Sequence, residues 1–98
     1  MRIEILDEAQ QDLIQGFRFY KKLDAGVGSY FLDCLFSDID SLRQSAGIHP
    51  TVHGYHRSLS RRFPFAIYYD VAGMRIRVHA VLDCRKHPAW TRKRLKRR

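Results

Sequence analysis

Nothing in this sequence is apolar for more than a few residues at a stretch, so no segment reads as a membrane-spanning helix. The first residues, Met1-Arg-Ile-Glu-Ile5, lack the apolar core of a secretion signal, and a cytoplasmic location is expected. Cysteine is scarce. Cys34 and Cys84 lie far apart, form no Cys-x-x-Cys pair, and read as idle thiols in a reducing compartment. No internal repeat occurs, and the one low-complexity stretch is the terminus, Thr91-Arg-Lys-Arg-Leu-Lys-Arg-Arg98. A phosphate-cradling glycine loop is also missing, because Gly26-x-Gly28 follows no strand and precedes no suitably placed lysine. No Ser/His/Asp set stands out from the several serines and histidines.

Acidic side chains are nearly lacking from the second half. Residues 1–50 hold eight acids against five bases, whereas residues 51–98 hold only Asp70 and Asp83 against thirteen. The overall formal charge of +8 is therefore a dipole, with a basic end suited to an acidic protein or a nucleic acid. A solvated tail that keeps the chain soluble would give the same count. With 98 residues and 45% hydrophobic content, the chain suffices for one domain with a modest core that needs neither metal nor disulfide.

Periodicity divides the chain at Pro50. Arg2–Leu6 alternates and reads as a short strand, after which Asp7 is placed to cap a helix with Glu8 in its first turn. Ala9, Leu13, Phe17 and Tyr20 make one apolar face of that helix. A glycine break at Asp24–Gly28 precedes a second helix from about Ser29 to Ser45, whose inner stripe is Phe31, Leu35, Ile39 and Leu42. Leu32 and Phe36 widen the stripe, as for a helix covered on more than one side. Beyond Pro50 the period is two: Val52–Leu59, then the aromatic and β-branched Phe65–Val71, a turn at Ala72-Gly73, and Arg75–Leu82. In that last strand Ile76, Val78, Ala80 and Leu82 should point one way, and Arg75, Arg77 and His79 the other. The fold class is thus α+β, in the order β-α-α-β-β-β, with a helical hairpin on one face of a mostly antiparallel sheet. From about residue 91 a basic, mobile tail is expected.

Several local pieces recur together in order and spacing. They are Ala9-x-x-Asp12-Leu13 with Tyr20, then Gly26-x-Gly28 before Phe31, then Arg57-x-Leu59. Arg62-Phe63-Pro64-Phe65-x-Ile67-x-Tyr69 follows, and the set closes on Val78-x-Ala80-Val81 and Arg85-x-x-Pro88-x-x-Trp90. Together, from Arg2 to about Leu95, they resemble the RelE/ParE toxins, closer to the ParE-like members. The resemblance implies the toxin of a type II toxin–antitoxin pair, held by a cognate antitoxin in a hetero-oligomer. ParE-like members inhibit DNA gyrase by binding, and RelE-like members cleave messenger RNA in the ribosome.

Cleavage needs a base for the ribose hydroxyl and cations for the charge that develops on phosphate. Carried over by residue, Arg85 matches the arginine after the last strand of the nucleolytic members. Their third-strand arginine falls at or beside Phe65, their lysines fall near His56 and Ser58, and Trp90 or Thr91 stands where a tyrosine is expected. A nuclease here would rely on Arg57, Arg62, Arg85 and His87. The departures favour a gyrase inhibitor whose target-binding residues are Arg85, Lys86, His87, Trp90, Arg92 and Arg94. Trp90 suits either a partner anchor or a seal at the core edge. No cofactor is implied. His53-x-x-His56 and Cys84-x-x-His87 have permissible zinc spacing, but histidines three apart on a strand point to opposite faces, so no metal is expected.

Overall fold

Asp24 sets the geometry of the helical half. In the computed structural model, which describes residues 1–98, its backbone N–H donates to the Tyr20 carbonyl and closes α1 (Asp7–Leu23). Its carboxylate accepts from the backbone of Gly26 at 2.7 Å and Val27 at 3.4 Å, and so opens α2 (Ala25–Asp40). One residue therefore ends one helix and caps the next. The break expected across Asp24–Gly28 is confined to Asp24, and α2 begins four residues earlier than the glycines suggested. Gly28 serves packing instead: a Cβ there would lie 3.0–3.1 Å from Lys21 of α1, so the helices could not approach as closely. Asp7 is likewise not a cap. Leu6 occupies that position without a side-chain bond, and Asp7 and Glu8 act through the helix dipole. The second helix also stops at Asp40, and a short turn of helix, α3 (Leu42–Ser45), replaces its expected end.

After α3 the chain forms β2 (Thr51–Val52), β3 (Tyr55–Leu59), β4 (Phe65–Ala72) and β5 (Arg75–Asp83). With β1 (Arg2–Ile5) they make one sheet in the order β1-β5-β4-β3-β2, in which only the β1–β5 pair is parallel. The single strand expected from Val52 to Leu59 is in fact a small hairpin. His53 and Gly54 take φ of 53° and 86°, the pair of left-handed residues that a two-residue turn needs. The next turn falls at Gly73-Met74, one residue later than expected.

A bulge decides which residues face which side. Tyr68 pairs with Ala80 and Tyr69 with Val78, so His79 is the extra residue of β5. One added residue reverses the alternation. Ile76 and Val78 face the helical hairpin as expected, but beyond the bulge it is Val81 that joins them. Ala80 and Leu82 turn to the opposite face, beside Ala66 and Tyr68. The sheet thus has an apolar layer on both sides. The larger layer holds Leu13, Phe31, Leu35, Ile67, Tyr69 and Val78, with Phe17 packed at its margin. Phe36 lies exposed, so α2 is covered on one side only. The smaller layer is covered by a further helix, α4 (Pro88–Lys96), where a mobile tail was expected. Its buried Leu95 supplies the apolar contact that a purely basic tail would lack.

Leu35 is fully buried at the centre of the larger layer. Leu35→Ala should lower stability by about 2–5 kcal/mol, the range for a leucine truncated in a packed core. Urea denaturation would reveal it; a loss below half of the lower bound would show that the layer is not the structural core.

Candidate functional site

The basic face is organised by α4, and α4 is fixed at both ends. At its start, Pro88 occupies the first turn and the His87 Nδ1 accepts from the backbone N–H of Ala89 at 3.0 Å. Beyond its end, the Arg98 guanidinium reaches Asp12 on α1. Asp12 Oδ1 accepts from Arg98 Nη2 at 2.9 Å, and Oδ2 accepts from Nη1 and from the backbone N–H of Val81 at 3.0 Å. Arg98 also donates to the His79 carbonyl at 3.1 Å and pairs with Glu8 at 3.3 Å. Both side chains of the pair are nearly sealed from water, Arg98 at 6% and Asp12 at 4% exposure. The bonds to Asp12 raise the guanidinium pKa, although burial opposes the charge. The sequence held one signal for this pair: Asp12 interrupts the apolar face of the first helix, where a carboxylate requires a cation.

The candidate cations divide into committed and free ones. Arg85 is committed: it grips Asp83 through Nε–Oδ1 at 3.0 Å and Nη2–Oδ2 at 2.8 Å, and touches the Tyr20 hydroxyl at 3.5 Å. Arg57 donates to the Tyr68 hydroxyl at 3.2 Å and to Cys84 Sγ at 3.5 Å. Burial opposes its charge, but these contacts prevail and raise its pKa, while burial pushes the Cys84 thiol up. Arg62 is exposed in the loop after β3, and His87 is engaged in its cap. Lys86 and Arg94 are different. Both lie against the Trp90 ring, with Nζ and Cζ at 5.6 and 4.7 Å from its centroid, and neither has a carboxylate partner. Trp90 itself packs at the edge of the smaller layer and remains partly exposed, so it seals the core and faces outward as well. Arg92 lies on the other flank of α4, facing a hollow that it shares with Tyr55 and Lys96.

The residues proposed for RNA cleavage do not line one hollow together. Arg57 lines a hollow of about 230 Å³ with Tyr68, Cys84, Lys86 and Thr91, and neither Arg62, Arg85 nor His87 lines it. Phe65, at the position of the missing arginine, is buried against Phe31 and near Tyr20. A group that sequence reasoning missed sits nearby: Asp70 accepts from Arg77 through two 2.8 Å bonds and pairs with His79 at 2.9 Å. Burial alone would raise the Asp70 carboxyl, but these bonds outweigh it and hold the pKa below the ordinary value. His53 is exposed in its turn and His56 bonds the His49 carbonyl at 2.8 Å. No three His, Cys, Asp or Glu side chains gather at metal-binding range.

A helical hairpin on a sheet of this order is a fold shared with a solved structure. In particular, the chain is similar to one in a solved structure of the chromosomal ParDE TA system from P. aeruginosa. The TM-score is 0.75 at 21% identity, over 83% of this chain and 92% of that one. No protein-family model matches the sequence, and no curated protein does. No helix is long and apolar enough to cross a membrane.

Two tests follow from the ion pairs. Arg98→Ala should cost about 2–3 kcal/mol, somewhat under the usual cost of breaking a buried pair because α4 can shift and admit water to Asp12. Urea titration and the emission of Trp90 would report the loss together. Asp83 also has a lowered pKa, chiefly through the hydrogen bond from Arg85. A depressed folded-state pKa contributes stability above the unfolded value of 3.8 and loses it as pH falls through the folded one. Asp83→Asn should therefore weaken the fold at pH 7 and flatten the acid limb below about pH 4 in melts taken across pH. An unchanged acid limb would remove Asp83 from that account.

Proposed function

We propose that this chain is the toxin of a type II toxin–antitoxin pair, acting in the cytoplasm by binding DNA gyrase and silenced by a cognate antitoxin. The observation that supports the choice of target is the prior engagement of three of the cleavage candidates. Arg57 is engaged by Tyr68 and Cys84, Arg85 by Asp83, and His87 by the helix it caps. Arg85, already neutralised by a carboxylate, adds little to a phosphorane, and a base must reach the hydroxyl it deprotonates. Lys86, Trp90 and Arg94 instead form an accessible cationic and aromatic cluster, the composition of an anchor for a protein partner. In this reading His87 and Arg85 position the turn that presents Lys86, and Arg92 extends the cluster around α4.

The antitoxin has a separate surface available. Ile5, Leu13, Ile14, Leu32 and Phe36 line an apolar hollow of about 290 Å³ between β1 and the helical hairpin. An amphipathic segment fits there, in a hetero-oligomer that leaves the acidic stretch of the antitoxin near the basic half.

Trp90→Ala and the double variant Lys86→Ala/Arg94→Ala should each raise the toxin concentration for half-inhibition of gyrase supercoiling about tenfold, equivalent to ~1.4 kcal/mol. Primer extension on translated messages after induction should show no new cuts. Codon-periodic cuts that vanish with Arg85→Ala or His87→Ala would replace this reading with a ribosome-dependent endoribonuclease.

A further inference from the structure

The connection from α3 to β2, residues 46–50, is held to the sheet through one phenol. Tyr69 on β4 is fully buried, and its hydroxyl accepts from the backbone N–H of Gly47 at 2.9 Å. The same oxygen lies 2.6 Å from Nδ1 of half-buried His49. That nitrogen is the acceptor for the hydroxyl proton, which makes His49 the neutral tautomer with its own proton on Nε2. His56 completes the cluster: its ring stacks on Tyr69 at 5.1 Å and 26°, and its Nδ1 donates to the His49 carbonyl at 2.8 Å. Next to it, the Arg57 N–H donates to the Pro50 carbonyl at 2.9 Å. Neither histidine has a carboxylate partner, in contrast to His79 on Asp70. The charged groups on the surrounding elements are turned elsewhere. Asp38 of α2 accepts from Ser60 and the Arg61 N–H, and Arg43 of α3 donates to Asp40 and the Met1 carbonyl. Arg57 of β3 reaches Tyr68 on the opposite face of the sheet.

We propose that the Tyr69 hydroxyl is an acid-released latch, which closes the α3–β2 connection on the sheet only while His49 is neutral. A proton added to His49 Nδ1 turns that nitrogen from an acceptor into a donor. The Tyr69 oxygen then faces two N–H donors, and its own buried hydrogen has no acceptor, an arrangement that disfavours the closed form. Opening the connection relieves it, because both side chains then reach water. His56 adds to the effect, since an imidazolium stacked on the same phenol repels a second one. Burial first, and then the charge of His56, hold His49 below its ordinary pKa of 6.5, the direction the geometry requires. A histidine depressed in the folded state stabilises it above the unfolded value of 6.5 and withdraws that support as pH falls below it. The window is distinct from that of Asp70 and Asp83, whose contributions fade only below 3.8. With His49 and Pro50 withdrawn, His56 and Arg57 lose their acceptors and β3 becomes the edge of the sheet. The inference uses no part of the gyrase reading and is measured on the isolated chain, so either can fail alone.

The test is NMR on the full, isotope-labelled chain. Imidazole nitrogen spectra at about pH 7.5 should show His49 with a bare Nδ1 and a proton on Nε2. From about pH 7.5 to about 5.5 the hydrogen-exchange protection of the Arg57 amide should fall, by at most about tenfold per pH unit for one linked proton. In Tyr69→Phe that protection should be lower at neutral pH and its pH dependence flatter, because Nδ1 no longer has a hydroxyl to serve. His53→Asn, in the exposed turn of the same hairpin, should leave the window in place. A proton on His49 Nδ1 at neutral pH, a His49 titration at or above 6.5, or Arg57 protection independent of pH would overturn the proposal. The tautomer and the titration are both read in the wild type, so the outcome does not depend on whether Tyr69→Phe folds.

Discussion

A carboxylate withdrawn from water has to be met by a cation and by hydrogen-bond donors, and Asp12 imposes that requirement on three parts of the chain at once. It takes a backbone N–H from β5 and both terminal nitrogens of Arg98. The helical hairpin, the sheet and the C-terminal helix are thereby pinned at one point. Leu95 alone would hold α4 to the sheet without fixing its direction; the Arg98 bonds to Asp12 and the His79 carbonyl add that orientation. The positions of Trp90, Lys93, Arg94 and Arg97 relative to α1 depend on it. Replacing a solvated basic tail with a clamped helix converts diffuse charge into a surface of definite shape.

The bulge at His79 is the second constraint. Without it, β5 would send Ile76, Val78, Ala80 and Leu82 toward the hairpin and offer the far face only Val81. With it, Ala80 and Leu82 provide an apolar floor on which α4 can rest. The same irregularity places His79 beside Asp70, where Arg77 joins it. A local departure from regular pairing thus creates both the support for the basic helix and the ion cluster beside it.

Much of the architecture was legible because it rests on periodicity. The stripe Ala9, Leu13, Tyr20 and the run Phe65–Val71 have one physical reading each, and the α+β order follows from them. Three features were not legible for definite reasons. The bulge leaves no mark in composition, so Ala80 and Leu82 were assigned to the wrong face. The two-residue turn at His53-Gly54 was hidden because only one of its two residues is a glycine, and positive φ is uncommon for any other residue. The last helix was obscured because beyond Trp90 a single apolar residue, Leu95, stands among bases, and the partner of Arg98 lies on the first helix. At the site, the sequence indicated which residues are charged and aromatic. It gave no means of telling that Arg85 is neutralised by its neighbour Asp83 while Lys86 is not, since that depends on directions of side chains around one turn.

The parallel pairing of β1 with β5 has a consequence for biogenesis. Arg2 aligns with Arg75 and Ile5 with Val78, so β1 meets a neighbour that leaves the ribosome much later than it does. During translation the helical hairpin can form by local contacts, but Ile3 and Ile5 stay uncovered until β5 emerges. Contacts so distant in sequence close slowly, and unpaired strand edges invite association with other chains. The emerging polypeptide is therefore most adhesive while it is still unfinished, and any protein able to lend it a strand at that stage meets it before its own last strand does.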